Sequence, residues 1–159
     1  MIDATYEITD IKAELQAWTV YKNHYADDAA FVTALTKFCG EAMRDEMLYY
    51  MDKSTYTTLQ TELKAGLLAN YETTLYYAYW AEVYFTVAYF YRWLDRMDKA
   101  ARIGYTETQN MAGGGSRMVS GFSGKDAASA EYIARAERCL SQAGFDTQKK
   151  MKVRGSVHA

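Results

Sequence analysis

The sequence predicts an all-α protein, a bundle of about four to five helices with a glycine-rich extended arm and a basic C-terminal tail. The 159-residue chain has no proline, the residue that most strongly interrupts a helix. Apolar residues recur at spacings of three and four along most of it, as on one face of a helix. Hydrophobic residues make up 50% of the chain, which is enough to fill the core of one domain.

Start signals and apolar stripes indicate the first three helices. Thr9 is the expected N-cap of a helix ending near Trp18, with Ile8, Ile11 and Leu15 on its stripe. Asp27 and Asp28 precede a second helix over 29–51, whose two stripes are Phe31, Leu35, Phe38, Ala42 and Met43, Met47, Met51. A capping box of Thr57 and Gln60 starts the third helix, which carries Leu59, Leu63 and Leu67 and breaks near Asn70.

The segment 75–94 is apolar or aromatic on nearly all sides, and a membrane span is the first alternative to weigh. Tyrosine dominates it, and Glu82 lies near its middle, where a charge costs about 2.5 kcal/mol or more in a bilayer. We therefore predict a buried central helix that a small bundle cannot enclose alone, so that another chain covers part of it. Glu82 must then pair with Arg92 or Arg96 of a neighbouring copy, accept hydrogen bonds from tyrosine hydroxyls or face water.

The chain divides into a bundle core over 1–104, an arm over 105–125, a last helix over 126–144 and a tail over 145–159, all in one domain. Basic residues followed by a glycine predict the end of the aromatic helix: Arg92, Arg96, Lys99, Arg102 and Gly104. The last helix is expected to face the core with Ala130, Ile133, Ala136 or Glu137, and Leu140, and to close at Gly144. Residues 117–123 can pair with a partner's strand.

No pattern in the sequence predicts a catalytic, cofactor-binding or metal-binding residue. A phosphate-binding loop ending at Lys125 would need glycine at position 119 and serine or threonine at position 126, but these residues are Val119 and Asp126. A carboxylate-bridged metal pair would need Glu-x-x-His motifs, which the sequence lacks, and Asp27 and Asp28 near His24 are better explained as helix caps. Cys39 has no adjacent activating group, so we expect a buried, inert thiol.

The net charge and the cysteines limit which partners and which cellular compartment the sequence predicts. The net charge of −2 gives the chain no long-range attraction to nucleic acid or anionic membranes. The two cysteines match no metal or disulfide spacing, and the N-terminal residues lack the pattern of a signal peptide, which favours synthesis in a reducing cytoplasm. The basic tail can be a solvated end, an arm for an acidic partner or a weak nucleic-acid contact.

Several short motifs, taken in order, resemble those of the head-to-tail connector proteins of tailed bacteriophages. The stretch Ile8-Thr9-Asp10-Ile11-Lys12 to Leu15 is similar to their short first helix, and Asp27-Asp28-Ala29-Ala30-Phe31 to the acidic start of their second. A helix rich in alanine and aromatic residues, a Gly/Ser-rich stretch over 113–124 and a last A-x-x-x-L-x-x-x-G helix over 136–144 also look like that family.

The resemblance implies a structural virion protein made in the host bacterial cytoplasm. Such a protein forms a ring, commonly a dodecamer, beneath the portal, binds the portal and tail or further ring proteins, and lets DNA pass without specific binding. We expect its interface to include Tyr77, Trp80, Tyr84, Tyr91, Arg117, Met118, Val119, Phe122, Lys149, Lys150, Lys152 and Arg154. No cofactor, enzyme activity or membrane association is implied.

Two alternatives stay open on the sequence. One is a different oligomeric helical assembly or adaptor protein, built on the same bundle. The other is an enzyme with a pocket between the helices, lined by the tyrosines and Glu82.

Overall fold

A computed structural model describes residues 4–15, 28–69, 73–103 and 124–147. Within these ranges the chain forms five α-helices and no strand, which confirms the predicted all-α class. The helices are α1 (Ala4–Glu14), α2 (Asp28–Ala42), α3 (Lys53–Lys64), α4 (Thr74–Ile103) and α5 (Gly124–Gln142). A π-helical turn (Met43–Met47) and a last α-turn (Leu48–Tyr50) prolong α2, and a 3-10 turn (Leu67–Ala69) follows α3.

The long helix α4 forms the centre of the bundle and contacts each of the other four helices. Aromatic side chains from α2 and α4 meet edge to face, with the ring centroid of Phe90 5.7 Å from that of Phe31 and 5.9 Å from that of Phe38. The apolar residues of α4 that are buried are Leu75, Ala78, Tyr79, Ala81, Val83, Phe85, Val87, Ala88, Phe90 and Leu94. The predicted buried central helix is thus present.

The protein itself covers the aromatic segment more completely than the sequence predicted. Every side chain over 75–94 is buried or half-buried, and the one exposed large apolar side chain among the described residues is Leu67, in the turn after α3. Helices α1, α2, α3 and α5 all pack on this helix, and its outer rings stay half-buried, so the expectation that another chain covers part of it stays a prediction.

The first helix begins earlier than predicted, at Ala4, so that Thr9 lies exposed inside it and is not its N-cap. Ile11 and Leu15 are buried and Ile8 is half-buried, as the stripe predicted, whereas Trp18 lies outside the described residues. Both predicted stripes of α2 face the core, with only Met43 half-buried.

The third helix begins at Lys53 because Asp52 is its N-cap: an Asp52 carboxylate oxygen accepts a 2.7 Å hydrogen bond from the Thr55 amide. The predicted capping box is wrong, since Thr57 lies within the helix and donates to the carbonyl of Lys53 at 2.8 Å. The break also comes before Asn70. Gly66, with φ of +79°, ends this helix, and Leu67 is 45% exposed instead of continuing the core stripe.

The last helix packs closely along α4 and begins at Gly124, two residues before the predicted start. The Ser129 hydroxyl donates to the carbonyl of Ala88 at 3.1 Å, so Ser129 faces α4 and the neighbouring Ala130 is exposed, against the prediction. Ala136 and Leu140 are buried as expected. Gly144, with φ of +90°, ends the helix as predicted.

The two helices run antiparallel. Ser129 of α5 is hydrogen-bonded to Ala88 of α4. Further along α5, Glu137 accepts a 3.2 Å hydrogen bond from Tyr50, and the Tyr50 ring stacks on Phe85, which comes before Ala88 in α4. In this register the start of α5 lies beside residues near 93, so the remainder of α4, to Ile103, extends beyond α5. The predicted features at His24, Asp27, Gly104, 105–123 and 148–159 lie outside the described residues.

Replacing Phe90 by alanine should destabilise the protein by about 3–5 kcal/mol, because it opens a cavity where α2 and α4 meet. Leu67→Ala is the matched control at an exposed site, and it should change the free energy of unfolding by less than about 0.5 kcal/mol. Urea unfolding followed by circular dichroism measures both. Equal losses for the two variants would contradict the proposed core.

A candidate interaction surface and a buried acid pair

One side of the α4–α5 pair carries a continuous row of half-buried aromatic rings, here called the aromatic strip. Its members are Tyr76, Tyr77, Trp80, Tyr84, Tyr91 and Tyr132. Residues 77, 80, 84 and 91 recur at helical spacing on α4, and Tyr132 of α5 completes the row. The strip is the outer part of the same helix whose inner side chains fill the core.

The rings of the aromatic strip contact one another from end to end. Centroid distances are 6.5 Å from Tyr76 to Trp80 and 5.6 Å from Trp80 to Tyr84. Tyr132 then joins Tyr84 at 6.0 Å to Tyr91 at 5.8 Å, and its ring stacks on that of Tyr91. Mutual ring contacts hold these side chains in place, so a partner would lose little rotamer entropy in binding them.

Cationic and polar groups border the aromatic strip. The Arg135 guanidinium lies 5.1 Å from the ring centroid of Tyr132 and pairs with Glu131 at 2.5 Å. An open groove of about 440 Å³ adjoins this pair, lined by Tyr84, Glu131, Arg135, Arg138, Cys139 and Gln142. Within the described residues neither the Trp80 indole nor the Tyr84 hydroxyl makes a hydrogen bond, so both polar tips are available to a partner.

The inner end of this surface is tied to α1. The Tyr132 hydroxyl donates to the main-chain carbonyl of Glu14 at 3.3 Å, and burial together with the Glu14 carboxylate raises the pKa of Tyr132 to about 12. Tyr132 therefore stays a neutral donor at physiological pH. Arg135 also lies 4.0 Å from the Glu14 carboxylate.

Four of the predicted interface residues belong to the aromatic strip: Tyr77, Trp80, Tyr84 and Tyr91. The structure brings them together on one face, and that face remains partly open to solvent. The other eight, at 117–119, 122, 149, 150, 152 and 154, lie outside the described residues. Tyr132 and Arg135 were missed because the predicted interface was confined to the aromatic segment, the arm and the tail, and included no residue of the last helix.

The second unusual feature is a pair of carboxyl groups in the core, Glu7 of α1 and Glu82 of α4, here called the acid pair. Both side chains have 0% exposure. The Tyr56 hydroxyl of α3 lies 2.8 Å and 3.0 Å from the two carboxylate oxygens of Glu82, so it donates to Glu82. The predicted pairing of Glu82 with Arg92 or Arg96 of a neighbouring copy is unnecessary, because a tyrosine hydroxyl of the same chain binds it.

Burial sets the protonation of the groups around the acid pair. Loss of hydration, and then the charge of Glu82, raise the pKa of Glu7 well above its ordinary value. The same two causes raise the pKa of Tyr56, and burial followed by the charge of Glu7 raises that of Cys39. Cys39 is fully buried, which confirms the predicted buried thiol, and it remains protonated and a poor nucleophile.

Glu82 was predicted as an unusual buried carboxylate, whereas Glu7 was not, although its spacing from the apolar residues of α1 indicates a core position. Glu7 precedes Ile11 by four residues and Leu15 by eight, so all three lie on one stripe of α1. The predicted start at Thr9 placed Glu7 before the helix and concealed this spacing. Within the described ranges no group of three or more acidic, cysteine or histidine side chains is arranged to hold a metal ion.

Comparisons of the chain with protein-family models, curated proteins and solved structures gave no match. None of the described helices is both long and apolar enough to cross a membrane.

Tyr56→Phe should destabilise the protein by about 1–3 kcal/mol at neutral pH, because it removes a donor from a fully buried carboxylate. Tyr50→Phe is the matched control: its hydroxyl donates to Glu137, which is half-buried, so water can replace the lost bond. Chemical denaturation of both variants and the wild type measures the difference. A loss for Tyr56→Phe no larger than for Tyr50→Phe would contradict the role of this hydrogen bond.

Proposed function

We propose that this protein is a structural subunit of the head-to-tail connector of a tailed bacteriophage, assembled as a ring beneath the portal. The observation that supports an assembly role is the aromatic strip with Arg135 at its edge. Tyrosine, tryptophan and arginine are the residues that contribute most to protein–protein interfaces, and here they form one connected surface. The connector identity rests on the resemblance of the short motifs and on the all-α architecture.

A closed ring requires two different faces of each subunit to meet. We assign the aromatic strip and its groove as one of these faces, and a neighbouring copy of the chain as its occupant. The strip is half-buried and not fully exposed, so the subunit folds without its neighbours and assembly covers a surface that is already ordered. This fits a connector that remains monomeric until a portal organises it.

The part of α4 beyond α5 offers a second contact region. Ten residues, from Leu94 to Ile103, extend past the start of α5 in the antiparallel register, a length of about 15 Å at the rise of an α-helix. A projecting helix of this length can reach a neighbouring subunit or the portal. The ring and its portal contact thus use opposite ends of the same helix pair in this proposal.

The alternative of an enzyme with Glu82 in a pocket between the helices would need a path for substrate to this side chain, which is fully buried and bound by Tyr56. A different oligomeric adaptor would use the same aromatic strip, and only a binding partner separates it from a connector.

Binding to a portal ring tests the connector proposal directly. The purified chain and the portal protein of the same source are mixed, and sedimentation velocity with electron microscopy of negatively stained particles follows the complex. We expect a ring of additional density at one end of the portal. A chain that binds no portal, yet self-assembles, would favour the other adaptor; a chain that stays monomeric under both conditions would overturn the assembly role altogether.

Two substitutions in the candidate surface should weaken assembly about tenfold or more: Trp80→Glu, which charges the centre of the aromatic strip, and Arg138→Glu, which reverses an exposed charge in the groove. Lys64→Glu, an exposed charge reversal on α3, is the matched control and should bind normally. The number of copies assembled on each portal ring, measured by co-sedimentation and electron microscopy, reports the contact between neighbouring copies, and circular dichroism verifies folding. Complete rings formed by the folded Arg138→Glu and Trp80→Glu variants would exclude this surface.

A further inference from the structure

We propose that the acid pair binds one proton, carried on Glu7 and shared with the carboxylate of Glu82, and that this proton holds α1 on the bundle. The inference does not depend on the proposed connector function. It rests on two fully buried carboxyl groups, one on each of two helices in contact, and on the two Glu7 oxygens to which no described residue donates a hydrogen bond of ordinary geometry.

Hydrogen-bond donors are missing from one side of the acid pair. When both groups are ionised, neither carboxylate oxygen of Glu7 accepts a hydrogen bond of ordinary geometry from any described residue, and the donor beside it is the Cys39 thiol, which is a weak one. Glu82, by contrast, accepts from the Tyr56 hydroxyl. A buried carboxylate without a donor, next to a second negative charge, is strongly unfavourable, whereas a protonated carboxyl supplies the missing donor itself.

The location of the proton follows from this asymmetry. Tyr56 stabilises the ionised form of Glu82, so the proton resides on Glu7, and its O–H donates toward the Glu82 carboxylate. Two adjacent carboxyl groups with one proton between them titrate as a unit. Two other titratable groups act on Glu7: the positive charge of the N-terminal amino group and the Cys39 thiol of α2 both lower the pKa of Glu7, and burial keeps that thiol protonated.

The acid pair includes one of the fully buried side chains of α1, a helix of only 11 residues. Glu7, Ile11 and Leu15 form its buried stripe. Other polar contacts attach the same helix: the Tyr79 hydroxyl of α4 donates to Asp10 at 2.5 Å, and Lys12 binds Asp28 of α2 at 2.8 Å. Tyr132 and Arg135 of α5 contact Glu14 at its end, as described above. An isolated helix of this length is marginal in water, so its docking depends on these few contacts.

The direction of the pH effect follows from the raised pKa. The folded protein retains a proton that the unfolded chain releases above its ordinary glutamate pKa of 4.5. The stabilisation is therefore complete below that value and is lost as pH rises toward the raised pKa of folded Glu7. In this window the unfolding equilibrium constant should increase by up to tenfold per pH unit.

The test compares urea unfolding of the wild type, Glu7→Gln, Glu82→Gln and Glu14→Gln from about pH 5 to about pH 9. The wild type and Glu14→Gln, a control on the same helix, should lose stability as pH rises. Glu7→Gln should remove this loss, since the amide is a permanent neutral donor. Glu82→Gln should reduce it, because the facing charge is gone. His24 and His158 are present in every variant, so their titration cancels in the comparison.

Two measurements keep the proposal testable if a variant does not fold. The side-chain carboxyl carbons of the wild type, followed by NMR, should include one glutamate, Glu7, that remains protonated at neutral pH. Hydrogen-exchange protection of α1 amides should fall as pH rises, relative to that of α3. A wild type with every glutamate ionised at neutral pH, or a Glu7→Gln protein with the wild-type pH slope, would overturn the proposal. An unchanged slope in Glu82→Gln would exclude a shared proton.

Discussion

The burial of α4 is the constraint on which the rest of the molecule depends. This helix supplies the centre of the core, one carboxyl of the acid pair and most of the aromatic strip, so the surrounding helices must each satisfy a different side of it. Apolar stripes of α1, α2, α3 and α5 cover its apolar faces, and the Tyr56 hydroxyl of α3 binds its buried carboxylate, Glu82. The strip on the α4–α5 side remains partly open, and its rings are already in position for the proposed partner.

Much of this fold could be predicted from the sequence, and the errors have physical causes. Long stripes of apolar residues gave the positions of α2, α4 and α5 to within about two residues, because tertiary packing fixes these helices. The starts of α1 and α3 were wrong because Thr9 and Thr57 have the chemistry of N-caps, yet threonine inside a helix also satisfies its hydroxyl by bonding a carbonyl four residues earlier. At α3 the N-cap is Asp52, five residues before the predicted Thr57.

The two site features differ in how far the sequence revealed them. The spacing of Tyr77, Trp80, Tyr84 and Tyr91 indicated one face of a helix, but whether that face is exposed depends on how closely α5 approaches, which Ser129 and Ala136 determine. The acid pair depends on a contact between residues far apart in the chain, Glu7 and Glu82, and local patterns carry no information about such a pairing. In the proposed assembly, contact between copies would cover an aromatic surface that is already ordered, and it is not required to bury the core.

Native-state hydrogen exchange of the α4 amides, measured over a wide range of protein concentration, tests most directly whether one chain encloses this helix. If it does, amides at the centre of α4 exchange only through global unfolding, and their protection is the same at the lowest and highest concentrations. Protection that appears only as concentration rises would show that α4 is completed by another subunit, which would contradict a self-contained bundle.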